Sequence, residues 1–226
     1  MDLFLTSVVS CVNNINALKR KIDNKTRLVI LPFAHDYKYI NCAEDVYNHY
    51  DRCPKNEESI FWHIARPFID IGIDERNIVV INQYEDHPNL IKHKLLDFNT
   101  VVYFPGGRPE NITKALRKLG LVETIKQCKT VVGESAGSMF WNKRYFVFRD
   151  DIDYYRYHNY KGINLIKNLV FIPHFKLGCD NDHIRKAARR FSIFHKDTIY
   201  LVQDGGWIHY NTDMQKIIDR KGAIRY

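Results

Sequence analysis

Short, uninterrupted apolar runs recur along the chain: Leu28–Phe33, Ile78–Asn82, Val101–Phe104, Thr130–Val132, Leu169–Ile172 and Thr198–Val202. A strand with one solvated face alternates apolar and polar residues. A continuous Val- and Ile-rich run suits a strand covered on both faces, as in a parallel sheet. Helical periodicity lies between these runs. Ile60, Ile64, Phe68 and Ile71 share one face, closed by Gly72. Pro109 suits a first helical turn, and Ile112, Ala115, Leu116 and Leu119 follow on one face before Gly120. Ile184, Ala187, Ala188 and Phe191 form another such face. This alternation predicts an α/β fold, a doubly wound, mostly parallel sheet flanked by helices.

The composition, with 45% hydrophobic and 27% charged residues among 226, is that of a globular chain able to bury a core without cross-links. No apolar run approaches the roughly 18 residues of a membrane span. With no internal repeat and no linker, one domain over residues 1–226 is expected. Leu3–Ser7 reads as a first buried strand. Val8-Val9-Ser10-Cys11 has the look of a lipoprotein cleavage site, but the flank before it carries Asp2 and no basic residue, and the apolar stretch is short. Five cysteines, an odd number without C-x-x-C spacing, point to a reducing compartment and a cytoplasmic protein. The net charge is +8, but the basic residues are spread along the chain. That argues against a clustered nucleic-acid footprint and leaves an anionic substrate, or solubility alone, as the meaning of the charge. Two segments fit the alternation poorly, residues 35–58 and 149–162. They read as binding loops or lids, or else as a solvated excursion or an extra hairpin.

The stretch Thr130-Val131-Val132-Gly133-Glu134-Ser135-Ala136-Gly137-Ser138 places G-x-S-x-G directly after a buried-strand pattern, and Met139-Phe140-Trp141 continue without a breaker, as a helix could. In a nucleophile elbow the serine sits on a strained strand-to-helix turn, and small neighbours keep side chains from colliding. Ser135 is therefore a candidate nucleophile; a tight structural turn is the alternative. His174 follows Leu169–Pro173, at the carboxyl edge of a strand where sites in α/β sheets gather. It is the candidate base. Asp204 follows Tyr200–Gln203 and could orient it, or could simply form a turn with Gly205. Pro105-Gly106-Gly107-Arg108 follows another strand and could bring a backbone N–H to an oxyanion. It lacks the forms of a nucleotide-binding loop.

Together these blocks resemble the aspartyl dipeptidase (peptidase E) and cyanophycinase family of serine peptidases, whose fold is akin to class I glutamine amidotransferases. Val29–Ala34 resembles the family's early strand with its "PYA"-like end. Pro105-Gly106-Gly107 resembles its glycine turn and Gly133–Gly137 its "G-x-S-A-G" elbow. Ile172-Pro173-His174-Phe175 and Gln203–Ile208 resemble its "N/I-P-H-F" and "P-E-G-x-W-I" blocks. The likeness runs over about residues 27–210. It implies a Ser135–His174–Asp204 relay with the N–H groups of Gly107 and Ala136 as oxyanion donors, no cofactor and no metal. The expected partner is a small peptide substrate with an acidic, Asp-type residue at the scissile bond. Nucleic acid and membrane are not expected partners, and the chain is expected to be a monomer or homodimer. Asp204 stands where the dipeptidase has Glu, and Arg108 where it has Asn. The dipeptidase's specificity arginine does not align cleanly; Arg185 is the nearest candidate, with Arg189 behind it.

Competing readings are an α/β-hydrolase esterase and a non-catalytic binding module. The esterase order is Ser, acid, His, whereas the plausible order here is Ser, His, acid, and the last histidine, His209, lies inside a strand-like run. Should Asp204 not be the acid, Glu134, Asp150 and Asp153 are the alternatives. His174, Cys179, Asp180, Asp182 and His183 lie close in sequence but match no standard metal spacing. Asn111-Ile112-Thr113 is a glycosylation sequon by pattern and reads as helix.

Overall fold

The computed structural model describes residues 1–35, 39–53, 59–147, 158–176 and 182–226. Its strands are β1 (Asp2–Thr6), β2 (Arg27–Ile30), β3 (Ile78–Val80), β4 (Thr100–Phe104), β5 (Thr130–Glu134), β6 (Arg144–Val147), β7 (His158–Lys161), β8 (Leu169–Ile172), β9 (Thr198–Asn211) and β10 (Lys216–Arg225). Its helices are α1 (Asn16–Lys19), α2 (Ala43–His49), α3 (Ile60–Asp70), α4 (Pro88–Leu96), α5 (Pro109–Lys118), α6 (Val122–Ile125) and α7 (Asp182–His195). The main sheet runs β10-β9-β1-β5-β4-β2-β3, and β8 also pairs with β9. β1, β5, β4, β2 and β3 are parallel, as are β8 and β9, while β9 is antiparallel to β1 and β10. The sheet is thus mostly parallel with an antiparallel margin.

Period-two alternation sends successive strand residues to opposite faces. Leu3, Leu5, Val29, Val102, Phe104 and Val131 point to one face, where Ile91, Leu95, Ile112 and Leu116 of α4 and α5 cover them. Phe4, Leu28, Ile30, Val101, Tyr103 and Val132 point to the other, against Phe61, Ile64, Ala65 and Phe68 of α3. A run apolar at every position is the consequence of a sheet wound on both sides, as the sequence predicts. Among the described residues, no helix is long and apolar enough to cross a membrane.

Three regions carry elements that the strand–helix alternation does not mark. Within residues 35–58 stands α2, opened by a capping box in which Cys42 and Asp45 each meet the other's backbone. β9 runs on past Val202 and is flanked by β10, which is mostly exposed. A charged edge strand carries no buried-run signal, because charge on an edge is one way a sheet avoids further pairing. Residues 144–147 and 158–161 form a separate antiparallel pair, β6 and β7. Of the second odd segment, residues 158–161 belong to this pair, and residues 149–157 lie outside the described residues.

Candidate active site

The elbow forms where β5 ends. Ser135 has φ 48, in the left-handed region that a residue with a Cβ rarely occupies. Such a backbone costs on the order of 1–3 kcal/mol and persists where its surroundings hold it. Here they do so through close backbone approach. A Cβ built on Gly133 would collide with the carbonyl of Gly137, and one on Gly137 with the carbonyl of Phe104 at the end of β4. Ser138 ties the turn to β1: its Oγ accepts from Thr6 N at 3.0 Å and lies 2.9 Å from Thr6 O and 2.6 Å from Gly133 O. Trp141 Nε1 donates to Gly137 O at 2.7 Å.

The helix expected through Trp141 is absent. A single 3-10 turn, Ser135–Ser138, takes its place. Its four residues sum too few peptide dipoles for a large macrodipole. Its first N–H groups still have no intrahelical partner, Ala136 among them. Gly137→Ala is expected to lower stability by about 1–3 kcal/mol, since overpacking forces neighbours off their minima. A thermal melt of the variant beside wild type measures this.

His174 and Asp204 meet Ser135 for a topological reason. β8 runs with β9, and Ile172 lies opposite Leu201. β1 runs against β9, and Thr6 lies opposite Trp207. The carboxyl ends of β8 and β1 therefore converge on residues 203–206 of β9 from opposite directions. β5, in register beside β1 with Glu134 opposite Thr6, delivers the elbow to the same place. Residues 203–206 bulge, because β10 offers only Gly222 between the pairs Lys221–Trp207 and Ala223–Val202. Ser7 pins the bulge: its Oγ donates to Gln203 O at 2.7 Å, and its N–H donates to Gly206 O at 3.2 Å.

The resulting contacts are short. His174 Nε2 lies 2.9 Å from Ser135 Oγ, and His174 Nδ1 lies 2.6 Å from Asp204 Oδ1. His174 itself has φ 60, and Phe175 N donates to Val202 O at 3.0 Å just beyond it. The His174 and Asp204 side chains are 46% and 53% exposed, so their pairing adds little to stability while the site is open to water.

Gly106 lies against the elbow. A Cβ on Gly106 would be 3.4 Å from Ser135 Cβ. Gly107 has φ 134, and a Cβ there would overlap the carbonyl of Ala34, which accepts from Arg108 N at 2.6 Å. The glycine is thus required both by its φ and by the approach of β2's extension. Below this turn, His35 Nε2 and Tyr50 OH are 2.6 Å apart. Burial, with His49 adding to it, pushes His35 down to about 4, so its ring is neutral near pH 7. Asn111, buried in α5, donates from Nδ2 to His35 O at 2.7 Å.

Arg108 occupies the N-cap of α5 and is half-buried. Arg185, in α7, stacks its guanidinium 5.5 Å over the ring of Phe175, the residue after His174. Its Nε is buried without a hydrogen-bond partner among the described residues. Arg189 is exposed.

Other candidates are placed elsewhere. The Glu134 carboxylate is held by Val9 N, Tyr103 OH and Gly106 N. His209 is buried in β9, stacked on Phe4 and bonded to Asp2. Asp150, Asp153, Cys179 and Asp180 lie outside the described residues. No group able to hold a metal ion occurs among the described residues. Ser7, Ser138 and the clamp on Glu134 escape sequence reasoning, because a lone serine or glutamate carries no pattern.

The model of Peptidase family S51 matches residues 55–218, more than half of the chain and spanning the elbow, His174 and Asp204. The chain belongs to peptidase family S51. No curated protein matches the sequence. Among solved structures, the S51 chain is similar to a protein provisionally assigned as a peptidase E from Listeria monocytogenes EGD-e, at TM-score 0.61 and 16% identity, covering 100% of this chain and 97% of that one. It is also similar to a peptidase from an acI-B1 Actinobacterium, at TM-score 0.58 and 15% identity, covering 93% and 83%. At such identities the likeness is one of fold. It agrees with the α/β architecture the sequence predicts.

Proposed function

We propose that this S51 chain is a serine peptidase that hydrolyses a small peptide through an acyl-enzyme. The observation carrying the reading is the continuous Ser135–His174–Asp204 contact chain, 2.9 and 2.6 Å long, at the carboxyl edge of the sheet. In the reaction Ser135 Oγ attacks the scissile carbonyl while His174 Nε2 takes its proton. Asp204 holds Nδ1–H and stabilises the imidazolium. The oxyanion is received by the N–H groups of Gly107 and Ala136. His174 then protonates the leaving amine, and water, deprotonated by His174, releases the acid product. The order Ser, His, acid along the chain argues against the esterase reading. Mass-spectrometric detection of a fluorophosphonate adduct on Ser135 tests the assignment; an unlabelled Ser135 in folded protein would leave the binding-module reading.

For specificity, Arg185 and Arg108 are assigned to a carboxylate next to the scissile bond. Arg185 Nε is buried without a hydrogen-bond partner among the described residues, and a guanidinium can grip a carboxylate through two parallel bonds. Arg185→Met keeps an apolar stem over Phe175. It is expected to lower kcat/KM on Asp-X dipeptides roughly 10- to 100-fold, the equivalent of losing a charged hydrogen bond of about 1.5–3 kcal/mol. Rates on matched Asn-X dipeptides should change less than about twofold. Equal wild-type rates on Asp-X and Asn-X would remove both arginines from this role.

A further inference from the structure

Glu134 is a carboxylate adjoining the reacting serine that the relay does not use. Its Oε1 accepts from Val9 N at 2.9 Å. Its Oε2 accepts from Tyr103 OH and, at 3.4 Å, from Gly106 N. Those donors come from three different places: the start of the 3-10 turn Val9–Asn14 after β1, the end of β4, and the glycine turn that follows β4. Tyr103 is fully buried, and burial followed by the charge of Glu134 raises its phenol well above the usual range. It stays protonated and donates.

We infer that Glu134 is a positioning residue, whose carboxylate sets the glycine turn at its working height over Ser135. The inference rests on the proposed role of Ser135. The carboxylate reaches the turn through Gly106 N, one residue before the proposed oxyanion donor Gly107. The same turn is held on its far side by Arg108 N donating to Ala34 O. The donor is thus set between two anchors, and one of them belongs to the residue that immediately precedes the nucleophile. Any shift of the elbow then carries the turn with it, preserving the distance between nucleophile and donor. A carboxylate suits this task because it accepts on both oxygens in several directions, so it can hold Val9 N at 2.9 Å and Tyr103 OH while still reaching Gly106 N.

Electrostatics alone argues for the opposite effect. A negative charge near a forming oxyanion raises its energy. Three donors already share the charge of Glu134, so its field at the oxyanion is weakened while its geometric hold remains. Misplacing a catalytic contact by about 1 Å costs on the order of 10²-fold. The positioning effect therefore exceeds the residual repulsion, and the sign of the Glu134→Gln effect separates the two.

The test uses Glu134→Gln, whose amide cannot accept on its nitrogen, and Tyr103→Phe, which removes one donor and leaves the carboxylate. Active sites are counted by the burst of an uncharged fluorophosphonate, so that kcat is expressed per reactive Ser135. For Glu134→Gln the expected result is a fall of about 10- to 100-fold in kcat per titrated site, KM within about twofold, and a parallel fall in the phosphonylation rate. Tyr103→Phe should move the same quantities in the same direction by less. A merely structural loss would reduce the number of titrated sites and leave kcat per site unchanged; that outcome overturns the inference, as does faster phosphonylation of Glu134→Gln. Failure of the underlying reading looks different, because wild-type Ser135 would then not be phosphonylated at all.

Discussion

Ser135→Ala is expected to lose peptide hydrolysis while keeping the fold. Removing the nucleophile from such a relay leaves only the roughly 10³–10⁴-fold acceleration over water that binding and the oxyanion hole supply, and the loss in kcat reaches about 10⁶-fold where the relay acts as a unit. The fold should persist because the elbow is held by its neighbours: Gly133, Gly137, and the bonds of Ser138 to Thr6 and Gly133. Alanine inherits the left-handed backbone at φ 48. Ser135→Gly would relieve that strain, which is worth roughly 1–2 kcal/mol for a residue bearing a Cβ. It should thus melt a few degrees above Ser135→Ala while being equally inactive. Steady-state hydrolysis and thermal melts on the two variants check both halves. Full activity in folded Ser135→Ala would end the serine-peptidase reading.

Asp204→Asn is the second large effect. An asparagine can present its amide N–H to His174 Nδ1 and so hold the ring in the tautomer whose Nε2 carries the proton and cannot accept one from Ser135. The loss in a buried triad is about 10⁴-fold. Here Asp204 is half exposed. Water can reach His174 and partly replace the lost partner, so a fall of roughly 10²- to 10⁴-fold in kcat is expected, near the full worth of general-base catalysis. Stability should change little, because an exposed pair contributes little to it. His174→Ala, by contrast, removes the base and should match Ser135→Ala. Near-wild-type turnover of Asp204→Asn would send the search for the acid elsewhere. Glu134 is a poor substitute, since three other donors already engage its carboxylate.

Much of this was legible in the residues. Runs apolar at every position suit cover on both faces, and Leu28–Ile30, Val101–Phe104 and Thr130–Val132 are found as inner strands. The expected helices over Ile60–Ile71 and from Pro109 are found as α3 and α5. The G-x-S-x-G spacing marked the elbow because two close backbone approaches demand glycine at both flanking positions. What misled was local continuation. Met139-Phe140-Trp141 carry no helix breaker, but Phe140 and Trp141 are drawn into the core beside Phe104 instead of extending the 3-10 turn. Helix propensity is weak beside the burial of two large aromatic side chains.

The sequence by itself determined the residue types at the site and the α/β class, since both follow from local spacing and from which side chains must leave water. It could not determine that His174 and Asp204 meet. That depended on β8 and β1 approaching β9 from opposite directions, and on a bulge created because β10 supplies one residue, Gly222, opposite four. Strand direction and register are set by pairing between segments far apart in the chain, and a one-residue slip would turn Asp204 to the other face. The role of Glu134 was hidden for the same reason. Its three partners, Val9, Tyr103 and Gly106, come together only when β1, β4 and β5 lie side by side.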